Sequence, residues 1–146
     1  MALDIITDLT LLRRKSDIVT ESDDVQHIIA ELEDAFKDMN GFGLSAPQIG
    51  IFKQVAIIRM PDCTANIINP VILEKTDKFI YRKESCFSLP GLSVDTDRYR
   101  NIVVETGMPG NRMRVSLDNL EAVVWSHEID HLFGMTILDR KHRRQK

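Results

Sequence analysis

The sequence has few cysteines, no long apolar run and no excess of basic residues, and each shortage excludes a class of protein. Its 146 residues include two cysteines, too few for a disulfide framework, so we expect Cys63 and Cys86 to be thiols. Apolar runs such as 55–58 are far shorter than the roughly 20 residues of a membrane-spanning helix. With 19 Lys and Arg against 22 Asp and Glu, the net charge of −3 argues against a dedicated DNA-binding domain.

The N-terminal residues lack the basic start and apolar centre of a signal peptide. We therefore expect a cytoplasmic protein, with an organellar protein that has lost a transit peptide as the open alternative. The length and the 43% hydrophobic content suit one globular domain over residues 1–146. Residues 140–146 are nearly all basic; we interpret them as a solvated helix end, with contact to RNA or another polyanion as the alternative.

Two segments carry helical signals. Apolar side chains recur at i, i+3 and i+4 spacing over residues 24–39, which predicts an amphipathic helix. A second helix is predicted over residues 119–133, with Asp118 and Glu121 as a capping box and Gly134 as its end.

The middle of the chain predicts short strands rich in β-branched residues, over 54–60, 67–73, 78–83, 101–106 and 112–117. Turn-forming residues at 107–111 predict that the last two strands pair as a hairpin. The glycine-rich segment 41–50 predicts an irregular loop. Because helices and strands do not alternate, we predict an α+β fold.

The second predicted helix contains His127-Glu-Ile-Asp-His131, a match to the HExxH motif. Residues four apart lie on one helix face, so both imidazoles can bind one metal ion. Glu128 lies about 100° around the helix, where it can contact a water beside the metal. The alternative is a pair of helix-face histidines beside a solvated acid. Apolar residues at 120 and 122–125 weaken that alternative, because an unpaired histidine pair in a core would be costly.

A catalytic metal site of this type needs a third protein ligand. Downstream of the motif the chain offers only Asp139 and His142, and neither resembles the usual zincin extensions. Upstream, Cys86 follows the predicted strand 78–83 and is a sound ligand position. The alternative for a lone cysteine is a small buried hydrophobe, which is our interpretation of Cys63.

Three segments together resemble the signature motifs of peptide deformylases, in the same order and spacing: GFGLSAPQ at 41–48, ESCFS at 84–88 and HEIDHLFG at 127–134. The resemblance implies an α+β fold in which antiparallel sheets pack around a central HExxH helix, with an N-terminal helix. It implies an amidohydrolase that removes the formyl group from N-formylmethionine of nascent peptides. It also implies one divalent metal ion, Fe²⁺ natively, with Zn²⁺, Ni²⁺ or Co²⁺ as substitutes.

The resemblance implies catalytic roles for the matching residues. The metal ligands would be Cys86, His127 and His131. Water activated by the metal would attack the formyl carbon, with Glu128 as general acid and base. The Gln48 side chain and the Phe87 backbone N–H would stabilise the resulting oxyanion.

Substrate contacts are implied in the same way. Phe42 and Gly43 would contact an extended peptide backbone. An apolar pocket for the methionine side chain would include Leu120, Val123 and Val124, with Phe42 and Phe87 as further candidates, although each could equally be core.

Three serines depart from the usual motif, in which Ala, Gly and Gln stand at the positions of Ser45, Ser85 and Ser126. A positive φ at Ser85 would strain the backbone beside Cys86, and Ser126 adjoins a ligand. Two other functions therefore stay open. One is a metallohydrolase of this fold with another blocked-peptide substrate; the other is a catalytically silent relative that binds peptides or, through its basic tail, the ribosome.

Overall fold

The structure is a computed structural model that describes residues 4–143. Its helices are α1 (Leu9–Leu12), α2 (Val25–Phe36) and α3 (Asn119–Leu132). Its strands are β1 (Gly43–Ser45), β2 (Val55–Met60), β3 (Cys63–Ile68), β4 (Val71–Ser85), β5 (Ser93–Met108) and β6 (Asn111–Asp118). Two 3₁₀ turns span Ala46–Ile49 and Ile137–Arg140. The strands form two antiparallel sheets, in the orders β1-β2-β3 and β4-β5-β6.

Helix α2 covers the first sheet. It begins after Asp24, whose carboxylate accepts a hydrogen bond from the His27 N–H, and it buries Ile28, Ile29 and Leu32 against β1 and β2. The helix ends at Phe36, earlier than predicted, because the chain closes a turn in which the Met39 N–H donates to the Phe36 carbonyl. The apolar spacing in the sequence continues to residue 39 although the helix has ended, because Met39 packs against the same core as α2.

The second sheet differs most from the predictions. Strands β4 and β5 are 15 and 16 residues long. β4 joins parts of the predicted strands 67–73 and 78–83, and β5 extends the predicted strand 101–106 toward the N-terminus. The predicted strand 67–73 is wrong: Asn69 has a φ of 48° and Pro70 offers no N–H, so the chain leaves β3 and starts β4 there. The β5–β6 hairpin is confirmed, with Met108 opposite Asn111.

Segment 41–50 is only partly irregular, because it contains β1 and the 3₁₀ turn Ala46–Ile49. Its three-residue strand pairs with β2 through Gly43 opposite Ile58. The backbone of this segment is therefore fixed by a sheet, which holds it against α3.

Helix α3 lies in the core between the sheets. Trp125, Ile129 and Leu132 pack with residues of both sheets, including Ile58 and Val104. The α+β expectation with a central HExxH helix is confirmed. The capping box is wrong, because the Asp118 side chain makes no capping hydrogen bond. As predicted, Gly134 ends the helix, with a left-handed φ of 77°.

The C-terminal segment is not a frayed helix end over its described part. The Arg140 side chain forms an ion pair with Asp130, and the backbone of Lys141 forms an isolated antiparallel β-bridge with Thr96. The His142 ring lies 2.8 Å from Asp97. The rest of the basic tail, 144–146, lies outside the described residues. Over residues 4–143, no helix is long and apolar enough to cross a membrane, and both cysteines are free thiols.

Candidate active site

An open cleft of about 260 Å³ lies where three elements meet. Strands β1 and β4 are each at the edge of a sheet. The cleft is lined by residues at or beside one end of each of these two strands. Helix α3 contributes one wall and the floor. The HExxH helix therefore meets the glycine-rich segment and the segment after β4 at one place.

The structure brings Cys86, His127 and His131 together at the base of the cleft. The candidate ligand atoms of the three residues all lie within 4.8 Å of one another, and Cys86 Sγ is 3.3 Å from His131 Nε2. Cys86 follows the last residue of β4, while the histidines occupy one face of α3. One sulfur and two imidazole nitrogens in this arrangement suit a divalent transition metal. The residues thus fit the metal that the motif implies.

Glu84 orients His127, a role that the sequence analysis did not assign. Its carboxylate lies 2.7 Å from His127 Nδ1, which leaves Nε2 of that ring for a metal. Arg98 donates two hydrogen bonds to Glu84 and Thr96 a third. Burial favours the neutral acid, but the hydrogen bonds from His127 and Arg98 lower the pKa of Glu84 to about 2. Glu84 is therefore an anion.

A buried ion-pair network continues from Glu84 to the C-terminal segment. Arg98 Nη1 donates to Asp130 at 2.8 Å, and Arg140 contacts the same carboxylate at 2.9 Å. Asp130 is 6% exposed, and both of its carboxylate oxygens accept hydrogen bonds from these arginines. Its place in the HExxH motif is explained by these two arginines.

Glu128 lies buried against β1. Its Oε1 has no hydrogen-bond partner among the described residues. A Cβ at Gly43 would lie 3.1 Å from Glu128 Oε2, so the glycine makes room for this carboxylate. Burial raises the pKa of Glu128 to about 7, although the neighbouring charge of His127 opposes the shift. The group can therefore accept and release a proton near neutral pH.

Gln48 is held with its amide N–H groups toward Cys86. Its Oε1 accepts hydrogen bonds from the backbone N–H and the hydroxyl of Ser45, at 3.1 and 2.9 Å. Its Nε2 donates to the Ser88 hydroxyl at 3.1 Å and lies 3.7 Å from Cys86 Sγ. The serine at 45 thus adds a second donor that fixes the amide.

The other predicted contact residues also line the cleft: Phe42, Gly43, Phe87, Leu120, Val123 and Val124. The Phe87 ring packs directly on Gly41, where any side chain would collide with it. Ser85 has no positive φ, so the strain considered for this position is absent. Ser126 lines a small cavity with Arg98 and Asp130 and does not line the cleft.

Known proteins resemble this chain in sequence and in fold. The family model described as polypeptide deformylase matches residues 4–146. The chain belongs to this family. The peptide deformylase of Finegoldia magna is 34% identical over 89% of this chain and 83% of that protein. The Aquifex aeolicus peptide deformylase is 35% identical over 86% of this chain and 77% of that protein. The Thermotoga maritima peptide deformylase structure superposes with a TM-score of 0.86 at 29% identity, over 97% of both chains.

Proposed function

We propose that this chain is a peptide deformylase that hydrolyses the formamide of N-formylmethionyl nascent peptides and releases formate. The observation that carries the proposal is the convergence of Glu128 and Gln48 on the Cys86, His127 and His131 cluster, at the base of an open cleft. The complete residue set favours catalysis over a silent peptide-binding relative.

The metal site consists of Cys86, His127 and His131 in this proposal. We propose Fe²⁺ as the native ion, with Zn²⁺, Ni²⁺ or Co²⁺ as substitutes. The donor set suits iron and zinc about equally, so the choice of iron rests on the family. When bound, the ion supplies a Lewis acid that polarises the formyl oxygen and makes water more acidic.

Glu128 moves the proton. In the first step it accepts a proton from the water that attacks the formyl carbon, and in the second it protonates the departing peptide nitrogen. Its pKa of about 7 suits both steps, because a group that titrates near the working pH exchanges a proton readily in either direction. Gly43 supports this role by leaving space for the carboxylate.

Two N–H donors stabilise the developing oxyanion. The Gln48 amide is already directed into the site, since Ser45 occupies its oxygen. The backbone N–H of Phe87 is the second donor. Pre-oriented donors stabilise the charged transition state without a reorganisation cost during the reaction.

The peptide binds as an extended strand between the edges of the two sheets. Phe42 and Gly43 offer backbone groups, as in other complexes in which a peptide adds to a sheet edge. Leu120, Val123 and Val124 form the apolar wall that receives the methionine side chain. The substrate specificity thus depends on an apolar wall close to the candidate metal ligands.

A formate assay tests the proposal. Anaerobically purified protein with ferrous iron should release formate from formyl-Met-Ala-Ser and leave acetyl-Met-Ala-Ser intact. Glu128→Ala should abolish the release while the bound metal stays at one equivalent. Undiminished formate release by this variant would refute the mechanism, and faster hydrolysis of the acetyl peptide would indicate the other blocked-peptide substrate.

Three broader features belong to the same proposal. We propose that residues 1–146 act as one catalytic domain, in line with the family match over 4–146. A nascent-chain substrate places the enzyme in the cytoplasm or in an organelle that makes formylated chains. Ribosome contact through the tail stays a prediction, and the internal contacts of Arg140 and His142 leave fewer of its cations to bind RNA.

A further inference from the structure

We propose that Lys83 makes this enzyme prefer formylated peptides that carry an acidic side chain at the second or third residue. The inference rests on the proposed function and adds a charge preference to it. It starts from an irregularity in β4 that brings a cation to the cleft.

Strand β4 contains a bulge just before the site. Tyr81 pairs with Thr96 and Glu84 pairs with Val94, so Arg82 and Lys83 together oppose the single residue Asp95. Lys83 has a φ of 54°, a conformation that non-glycine residues seldom adopt. The extra residue changes which side chains face inward, and Glu84 reaches His127 as a result.

Asp95 holds the bulge in place. One of its oxygens accepts the backbone N–H of Lys83 at 3.0 Å, and the other contacts Arg82 Nη1 at 2.9 Å. Asp95 therefore binds the Lys83 backbone and the Arg82 side chain. The Lys83 ammonium has no ion pair within 4 Å among the described residues.

Lys83 lines the cleft together with Tyr81 and Phe42. Among the described lining residues it is the one lysine or arginine. The buried Glu84 carboxylate does not neutralise it, because Arg98 already pairs with Glu84 at 2.6 Å. A substrate would meet an exposed positive charge at this rim.

The spacing along β4 places this charge beyond the methionine. Lys83 precedes Cys86 by three residues, which is at most about 10 Å along an extended strand. An extended peptide whose formyl group lies at Cys86 covers the same length with its first two or three residues. The side chain of residue two or three therefore lies nearest the ammonium.

An alternative explanation of the lysine is protection of an exposed sheet edge against aggregation. That explanation predicts no effect of peptide charge. The two explanations differ in a ratio of rate constants, which is measurable on the intact enzyme.

The test compares kcat/KM for formyl-Met-Glu-Ser and formyl-Met-Lys-Ser, and for the same pair with the charge at residue three, using formyl-Met-Ala-Ser as the neutral reference. The wild type should favour the acidic member of at least one pair by about 1.5- to fivefold at low salt, the range for exposed charge pairs. The preference should shrink at about 1 M salt, where the Debye length is only about 3 Å and exposed charges farther apart are largely screened. Lys83→Gln should remove it and Lys83→Glu should reverse it.

Lys78→Glu is the matched control, since it makes the same charge change on the same strand away from the cleft. The ratio in this variant should equal that of the wild type. Because each ratio is taken within one preparation, a fraction of unfolded protein cancels. Equal rates for both members of each pair, or equal shifts in the Lys78 and Lys83 variants, would overturn the inference while neutral hydrolysis still upholds the function. Failure to hydrolyse even the neutral peptide would refute the function and this inference with it.

Discussion

The side chain of Gln48 has one orientation available to it. Ser45 directs both its backbone N–H and its hydroxyl at Gln48 Oε1, so the amide nitrogen must face Cys86 and Ser88. Gln48 is only 1% exposed, so water does not compete for these hydrogen bonds. Gln48 is therefore a pre-oriented donor.

Replacing this donor gives the first prediction. Gln48→Ala should lower kcat by about 10²–10³, the usual cost of losing one oxyanion donor, with a smaller change in KM. Steady-state formate release and metal content measure the effect. Gln54→Ala removes another buried amide, one that bonds the Ser16 carbonyl outside the cleft, and should change stability more than kcat. A Gln48→Ala enzyme with kcat near that of the wild type would contradict the assignment.

The candidate site residues could be predicted from the sequence because they are concentrated in three short motifs. The spacing of His127 and His131 alone indicates a shared helix face. Glu84 was missed even though it begins the second motif, since its partners His127 and Arg98 lie 43 and 14 residues away along the chain. An acid two residues before a candidate ligand, on a strand otherwise rich in exposed charge, is the signal that could have found it.

At the scale of elements, β4 explains why strand lengths were hard to predict. Most of its side chains are exposed or half-buried, so it lacks the apolar alternation that marks a strand. Its length comes from pairing with β5 over most of its residues, a long-range interaction that local composition does not show. The bulge near its end is likewise fixed by Asp95 in the neighbouring strand.

That bulge turns Glu84 inward, and the second prediction concerns its carboxylate. Glu84→Gln should weaken metal binding by about 10–100-fold, because a neutral amide holds His127 less firmly and removes one of the two carboxylates that pair with Arg98. Competition with a chelator measures the dissociation constant. Glu74→Gln, an exposed change on the same strand, should leave it unaltered. Equal metal affinity in the wild type and Glu84→Gln would show that Glu84 does not position the ligand.

At the scale of the whole molecule, the site depends on segments far apart in the chain. The ion pairs from Arg140 through Asp130 and Arg98 to Glu84 join the C-terminal segment, α3, β5 and β4 around the ligands. The α+β architecture followed from the order of the elements. The prediction of a solvated tail failed at Arg140, because the buried carboxylate that pairs with it comes from a different element.

The most direct test of the account is the spectrum of the Co²⁺-substituted protein. The sulfur of Cys86 and the two imidazoles should bind one equivalent of cobalt, with a thiolate-to-cobalt charge-transfer band. Cys86→Ser should abolish this band. Cys63→Ser changes the other thiol, which lies on β3, and should retain the band. A wild-type protein without the band, or a Cys86→Ser protein that keeps it, would contradict the metal site on which the proposed function depends.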